Sequence, residues 1–371
     1  MDTEELSQRL FEAALGAIDM WSVYVGEKLG LYAALAQRET LTGAELAAAA
    51  QIDPRYATEW LEQQAVTGLL EVDDSDLPGV QRRYELPPSH AEVLTDPDSL
   101  NYLAPFMRLM TAAGMQLPTL LEAYRTGGGV GWRQYGPDMR TGQADMNRPW
   151  FLGALGTDWF PAVPDLDERL RAGARVADIG CGEGWSSIAM ALAYPDAVVD
   201  GYDLDEPSVQ AARAHADEAG VSGRVRYFAG DAAAADRDGD YDVVTAFECI
   251  HDLARPVDVL ATMRRLAKPD GQVIVMDERV AERFPGRGDD IERLMYGFSL
   301  FVCLPDGLSH SPSAGTGTVM RPDTLRRYAA EAGFAGLEVL PIENDLWRFY
   351  RLHIPPKDAA SHQSPDASGA D

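Results

Sequence analysis

The sequence predicts an α/β protein in which a mainly α-helical winged-helix part precedes a doubly wound, mostly parallel seven-stranded sheet. Three observations predict it. From Arg175 onward, short apolar runs alternate with stretches of helical spacing, the rhythm of a parallel sheet covered on both faces. Before that point, apolar residues recur at helical intervals and are punctuated by capping residues and one pair of short strand-like runs. Between the two regimes, Arg175–Ser187 (RVADIGCGEGWSS) sets alternate glycines between a buried-strand pattern and a helix start.

Taken in order, Glu4–Leu35 carries Leu6, Leu10, Ala14, Ala17, Ile18, Trp21, Val25, Leu29 and Leu35 at helical spacing, with Met20, Trp21 and Tyr24 making it aromatic for a surface helix. Such a helix packs against a twin in a homodimer or against the core of its own domain. Thr42-Gly-Ala-Glu45 has the form of a capping box opening Ala44–Ala50, and Asp53-Pro54 caps Arg55–Thr67. A strand from Gly68, an acidic turn at Asp73–Gly79 and a return at Tyr84–Leu86 complete a helix, turn, helix and wing. That signature suggests DNA binding. The second helix, however, offers Arg55 as its only base against two glutamates, so it lacks a grip on phosphate. Residues 1–95 are therefore expected to be a winged-helix dimerisation domain.

Residues 96–160 are expected to be a helical linker that roofs a second substrate. Asp98–Arg125 is helical and broken near Pro118, Gly127–Gly131 and Gly136-Pro137 are breakers, and Met146–Phe160 is helical again. Its aromatic residues Trp150, Phe151, Trp159 and Phe160 belong either to the core or to a pocket wall. Residues 161–354 follow as the catalytic part. Strands are expected at Arg175–Ile179, Val198–Asp203, Val225–Ala229, Tyr241–Phe247, Gln272–Asp277, Leu337–Leu340 and Leu346–Leu352. Helices Ser186–Ala193, Pro207–Ala219, Pro256–Leu266 and Pro322–Ala332 lie between them, and the last two strands, with none between, form an antiparallel end. An insertion, 279–318, interrupts the rhythm at the carboxyl edge of the sheet, where ligands bind in such folds. It brings Tyr296, Phe298 and His310, expected to cover the acceptor. Residues 355–371 are polar and aperiodic, a tail expected to be disordered.

The glycine loop is a nucleotide site by its chemistry. Alternate glycines let a ligand approach the main chain, and the following helix start offers unpaired N–H groups. A dinucleotide fingerprint would read G-x-G-x-x-G; here Gly180, Gly182 and Gly184 run G-x-G-x-G, and Asp178 precedes them. An acid beside the loop repels phosphate and welcomes a sulfonium or an amino group. Asp203 ends the second strand, where it can accept both hydroxyls of a ribose, and Gly230-Asp231 follows the third, where the acid can take an adenine amino group. At the end of the fourth strand, Glu248, His251 and Asp252 emerge at the working edge. His251 has the intrinsic pKa of a general base near neutrality, with Asp252 to orient it. His310 is a second candidate base, and Glu248 can bind an acceptor amine or guanidinium.

This order of acid, glycine loop, acid and Gly-Asp resembles the class I S-adenosylmethionine-dependent methyltransferases, a Rossmann-like family. His251-Asp252 resembles the His-Asp pair of the winged-helix O-methyltransferases, although Leu253-Ala254 stands where those continue with a tryptophan and an acid. PSAGTGTVMRPDTLRRYAAEAGF and PIENDLWRFYRL, within Leu304–Leu352, resemble methyltransferases of actinobacterial type. The resemblance implies that Asp178, Gly180, Cys181 and Gly182 hold the methionine moiety of S-adenosylmethionine. It places Asp203 at the ribose, Asp231 with Ala232 at the adenine and Phe247 beside the sulfonium, with Leu204 and Gly230 also among the cofactor-binding residues. The expected reaction is methylation of a small aromatic or apolar natural-product acceptor, oxygen favoured, nitrogen or carbon open. The rival expectation is a winged-helix regulator that senses S-adenosylmethionine.

Composition bounds the setting. A net charge of −27, from 59 acids against 32 bases, repels nucleic acid and anionic membranes. Cys181, Cys249 and Cys303 share no metal-ligand spacing and form no even disulfide set, so free thiols, no metal and a cytoplasmic protein are expected. The acidic N-terminus lacks the basic region of a signal peptide.

Overall fold

The computed structural model describes residues 1–356; the expected tail lies, from residue 357 on, outside the described residues. The chain forms two compact units, residues 1–115 with 136–150, and residues 116–135 with 151 onward.

The first unit opens on helix Thr3–Lys28, started by a capping box in which Asp2 accepts from the Glu5 N–H at 2.9 Å and Glu5 returns the bond at 2.8 Å. Only Val23 and Gly26 of this helix are buried. Gly26 lies against the rings of Trp60 and Tyr32, where a Cβ would overlap both. Leu6, Leu10, Phe11, Leu15, Ile18 and Trp21 are all exposed. Helices Gly43–Ala50 and Pro54–Val66 follow, the first opened by the Thr42–Glu45 capping box. Strand β1 (Glu71–Val72) pairs antiparallel with β2 (Tyr84–Glu85) as the wing. Arg55, the one base of the second helix, is ion-paired with Glu59. Gly136-Pro137, expected to break structure, instead starts helix Gly136–Trp150, because a proline in a first turn removes an N–H that has no helical partner.

The second unit is built on seven strands in the order β5-β4-β3-β6-β7-β9-β8. These are β3 (Arg175–Ile179), β4 (Val198–Asp203), β5 (Val225–Ala229), β6 (Tyr241–Phe247), β7 (Ala267–Glu278), β8 (Gly336–Val339) and β9 (Trp347–His353). The first five run parallel, and β9 pairs antiparallel with both β7 and β8, as expected. Val176, Ala177, Val243, Val244, Val273, Ile274 and Val275 are fully buried at its centre. Asp200, also fully buried, accepts from Arg226 at 2.8 Å and from the Tyr241 hydroxyl at 2.9 Å, and that hydroxyl meets Tyr202 Oη at 2.8 Å.

Three departures from expectation shape the site. The break expected at Pro118 falls at Gln116, and Pro118 sits in the first turn of Leu117–Thr126. The helix expected to reach Phe160 changes after Trp150 into a π-helical segment, Phe151–Trp159. The insertion holds helix Asp290–Phe298, a second π-helical turn, Ser299–Cys303, and a short helix, Leu304–Leu308. Its return then docks on the loop after β6, with Ala314 N–H donating to the Ala254 carbonyl at 2.8 Å and Gly317 N–H to that of His251 at 3.1 Å. Among the described residues no helix is long and apolar enough to cross a membrane.

Candidate active site

The glycine loop leaves β3 with Gly180, Gly182 and Gly184 all at positive φ, 70°, 52° and 87°. At Gly180 a Cβ would stand 2.8 Å from Cys249 Sγ, whereas at Gly182 it would meet nothing within 4 Å. Gly182 is therefore glycine for its backbone conformation and for open space beside the main chain. Asp178 is fully buried and pushed up from its ordinary range by that burial. Its carboxylate accepts from the hydroxyls of Ser186 and Ser187 at 2.6 Å each and of Thr245 at 2.8 Å. This side chain, expected to receive a ligand, is committed to fixing the loop.

Asp203 closes the loop from β4. One carboxylate oxygen accepts from Gly182 N–H at 2.8 Å and the other from Asp205 N–H at 2.8 Å. Each oxygen thereby keeps one lone pair for a ligand. Burial pushes Asp203 above the usual carboxylate range. Leu204 beside it is 66% exposed, a branched apolar group offered to solvent. Cys181 is buried, and burial lifts its thiol well above the ordinary value. At the end of β5, Gly230 has φ 143°, and exposed Asp231 accepts from Ala233 N–H at 2.8 Å, starting the turn Ala232–Ala234. Phe247 is buried with its ring 5.5 Å from that of Phe151.

The second cluster lies at the carboxyl ends of β6 and β7. Glu248 follows β6 at φ 50°, a conformation that costs a non-glycine residue roughly 1–3 kcal/mol. It is held there by Trp347 Nε1–H, which donates to Glu248 Oε1 at 2.6 Å. His251 is buried, with Nδ1 2.9 Å from Asp277 Oδ1 and Nε2 3.1 Å from Asp252 Oδ1. The Asp252 contact lies outside hydrogen-bonding geometry, since Asp252 Oδ1 has no hydrogen-bond partner among the described residues. Sequence reasoning gave the orienting role to Asp252; the hydrogen bond is to Asp277. Adjacent residues leaving a strand end point apart, and β7 runs far enough to bring Asp277 beside the ring.

Burial opposes the charge on His251, but Asp252 and Asp277 together outweigh it and hold the imidazole well above its ordinary value. Glu278 is raised well above the usual carboxylate range by burial and by Glu248. Asp277 Oδ2 and Glu278 Oε2 are buried without hydrogen-bond partners among the described residues. Acceptor atoms in such a state call for a ligand or water that brings donors. Cys303 is buried near His251, its thiol pushed up to about 12 by burial. The sequence signal for Asp277, Glu278, Cys303 and Trp347 was only their place at strand ends or in the insertion.

The remaining candidates divide. Phe151 and Trp159 pack edge-on at 6.1 Å, and Trp159 meets Trp347 at 5.6 Å, so both belong to the aromatic wall behind Glu248. Trp150 ends its helix half-buried in the first unit. Tyr296 faces Phe284 and Arg321 on the outer side of the insertion, and Phe298 is half-buried. His310 is exposed in the turn after Leu304–Leu308. The segment before the second unit's break adds two contacts that went unforeseen. Trp132 N–H donates to Asp306 at 2.7 Å, and Tyr135 Oη–H donates to the Phe301 carbonyl at 2.7 Å.

Comparison with known proteins agrees with this geometry. A methyltransferase domain family matches residues 170–302, and an Rv2258c-like winged helix–turn–helix domain family matches residues 17–96. The ubiquinone biosynthesis O-methyltransferase of Pseudomonas aeruginosa is 40% identical over 192 residues, covering 50% of this chain and 76% of that enzyme. Other enzymes of that name are spanned over between 48% and 79% of their length. Among solved structures, the mitomycin 7-O-methyltransferase MmcR has a TM-score of 0.71 at 20% identity, over 95% of this chain and 98% of that one. Human N-acetylserotonin methyltransferase, solved with S-adenosylmethionine, has a TM-score of 0.69 at 18% identity, over 95% and 98%.

Proposed function

Because the chain belongs to the S-adenosylmethionine-dependent methyltransferases, we propose that it methylates a hydroxyl oxygen of a small aromatic or largely apolar acceptor, with His251 as general base. The cofactor, when bound, supplies an electrophilic methyl carbon on a sulfonium. The residues present fit it: an open main chain at Gly182, a carboxylate at Asp203 with a lone pair left on each oxygen, and an exposed apolar face at Leu204. In this reading the main chain of Gly180, Cys181 and Gly182 cradles the methionine moiety and Asp203 takes the ribose hydroxyls. Gly230, Asp231 and Ala232 bound the adenine, and Phe247 flanks the sulfonium. Asp178 acts through the loop that it fixes.

The observation that carries the assignment of the base is the hydrogen bond that Asp277 accepts from His251 Nδ1. In the neutral ring it fixes the proton on Nδ1 and leaves the Nε2 lone pair as the base. Asp252 beside Nε2 stabilises the imidazolium formed when that lone pair takes the acceptor proton. Phe151, Trp159 and Trp347 supply an apolar wall, while Asp277 Oδ2 and Glu278 Oε2 favour an acceptor that carries donors. The exposed apolar face of Thr3–Lys28 supports a homodimer formed through the first unit. The regulator reading draws no support from Pro54–Val66, whose one base is already paired.

The test is product analysis by mass spectrometry after incubation with S-adenosylmethionine and a panel of mono- and dihydroxylated aromatic compounds. An O-methylated product from wild type, lost in His251→Ala with cofactor binding intact, is the expected result. An undiminished rate in that variant would remove the base assignment.

A further inference from the structure

Three atoms of metal-ligand type converge beside the site. One ring nitrogen of His251, one carboxylate oxygen of Asp252 and Cys303 Sγ all lie within 4.8 Å of one another. They come from the loop after β6 and from the last residue of the π-helical turn Ser299–Cys303. An imidazole, a carboxylate and a thiol form the mixed donor set of a borderline-soft divalent ion. Around tetrahedral zinc, ligand atoms bonded at roughly 2.0–2.3 Å stand about 3.3–3.8 Å from one another. The edge from Nε2 to Asp252 Oδ1 is already 3.1 Å, so the widest edge need close by only about 1 Å.

Two further observations point to a ligand. Asp252 Oδ1 is a buried atom without an aligned hydrogen bond among the described residues, 3.1 Å from Nε2. Behind the ring, Asp277 Oδ1 holds Nδ1 at 2.9 Å. A carboxylate on the far nitrogen of a ligating histidine is the usual outer support of a metal site, because it fixes both the tautomer and the ring plane. His251 and Cys303 are buried and Asp252 is partly exposed, which leaves one approach from solvent.

We propose that His251, Asp252 and Cys303 form a three-ligand site for a thiophilic divalent cation of the zinc type, with a fourth position left to water. Binding releases the Cys303 thiol proton and the Nε2 proton of the charged ring to solvent, involves no redox change, and leaves the Nδ1 hydrogen on its bond to Asp277. A cation on Nε2 occupies the lone pair that would take the acceptor proton, so zinc is a reversible inhibitor of methyl transfer. That consequence rests on the function proposed above; the site itself does not.

Cobalt(II), added to the full-length protein after chelation of trace metal, is the probe. Expected is a one-to-one complex with tetrahedral ligand-field bands and a thiolate-to-cobalt charge-transfer band, both bleached by one equivalent of zinc. Cys303→Ser abolishes the charge-transfer band, Cys249→Ser keeps it, and Asp252→Asn weakens binding at least tenfold, with folding followed by circular dichroism. No charge-transfer band in folded wild-type protein, or a band that survives Cys303→Ser, overturns the site. If Cys303→Ser does not fold, Asp252→Asn decides by the same titration: unchanged affinity overturns the site. Methyl transfer that proceeds undiminished in saturating zinc removes the inhibition, whereas missing methyl transfer with an intact cobalt spectrum counts against the acceptor reading alone.

Discussion

The imidazole of His251 is gripped by Asp277, 26 residues away in sequence, at 2.9 Å on Nδ1, while its neighbour Asp252 stands 3.1 Å from Nε2 without a hydrogen bond. The two carboxylates therefore do different things to one ring. Asp277→Asn presents the wrong tautomer to the acceptor, as an amide can donate to Nδ1 and turn the hydrogen onto Nε2. Its kcat is expected to fall by roughly 10²–10⁴, the range of a general-base contribution. Calorimetry should show cofactor affinity unchanged.

The pH dependence has a definite sign. Both carboxylates favour the imidazolium and together outweigh the burial that opposes it, and the active form is the neutral ring. In chelator-treated enzyme kcat/KM should climb with pH, with a midpoint above the ordinary histidine value of about 6.5. Asp252→Asn removes one of the two raising charges and should move that midpoint down. The same charge interaction contributes stability that is full below about 6.5 and is lost as pH rises through the folded-state value. A pH–rate profile of the two proteins, read beside their melting temperatures, checks both signs.

Asp203→Ala removes both acceptors proposed for the ribose and releases the N–H groups of Gly182 and Asp205. Two charge-assisted bonds at roughly 1.5–3 kcal/mol each predict a rise of at least ~100-fold in Kd for S-adenosylmethionine. Titration calorimetry measures it directly.

Tyr241→Phe leaves buried Asp200 and the Tyr202 hydroxyl without the group that joins them. Asp200 keeps its bonds from Arg226, so a loss of about 1–3 kcal/mol of folding stability is expected from the buried Tyr202 hydroxyl left without its partner, measured by urea unfolding, with no change in cofactor affinity.

Phe11→Glu with Trp21→Glu places two charges on a helix face that is already exposed in one copy of the chain, where these side chains are 59% and 52% exposed. The fold should persist by circular dichroism. Light scattering should show a homodimer for wild type and a monomer for the variant.

The places of the strands along the chain and the glycine loop were legible because their signals are local: runs of apolar residues, Gly180-Cys-Gly182, and acids at strand ends. The capping box at Thr42 is local in the same way. What stayed hidden depends on contacts between distant segments. Asp277 reads as the end of one more apolar strand until β7 is laid beside β6, and nothing near Cys303 announces that it reaches His251. Asp178 was visible as an acid in the right place, yet only the fold shows Ser186, Ser187 and Thr245 converging on it. Gly136-Pro137 misled because the same pair that ends one helix can begin another.

The segment Phe151–Trp159 is wound as a π-helix, which holds one residue more in each turn than its α-helical equivalent. The rings of Phe151 and Trp159, at its two ends, meet at 6.1 Å. Loss of a single codon here would remove one of those extra residues, keep the reading frame, and re-space the side chains within the segment. A gene can thus redraw the wall behind Glu248 in one event that no substitution reproduces. Lineages carrying and lacking that codon are the natural places to look for a change of acceptor.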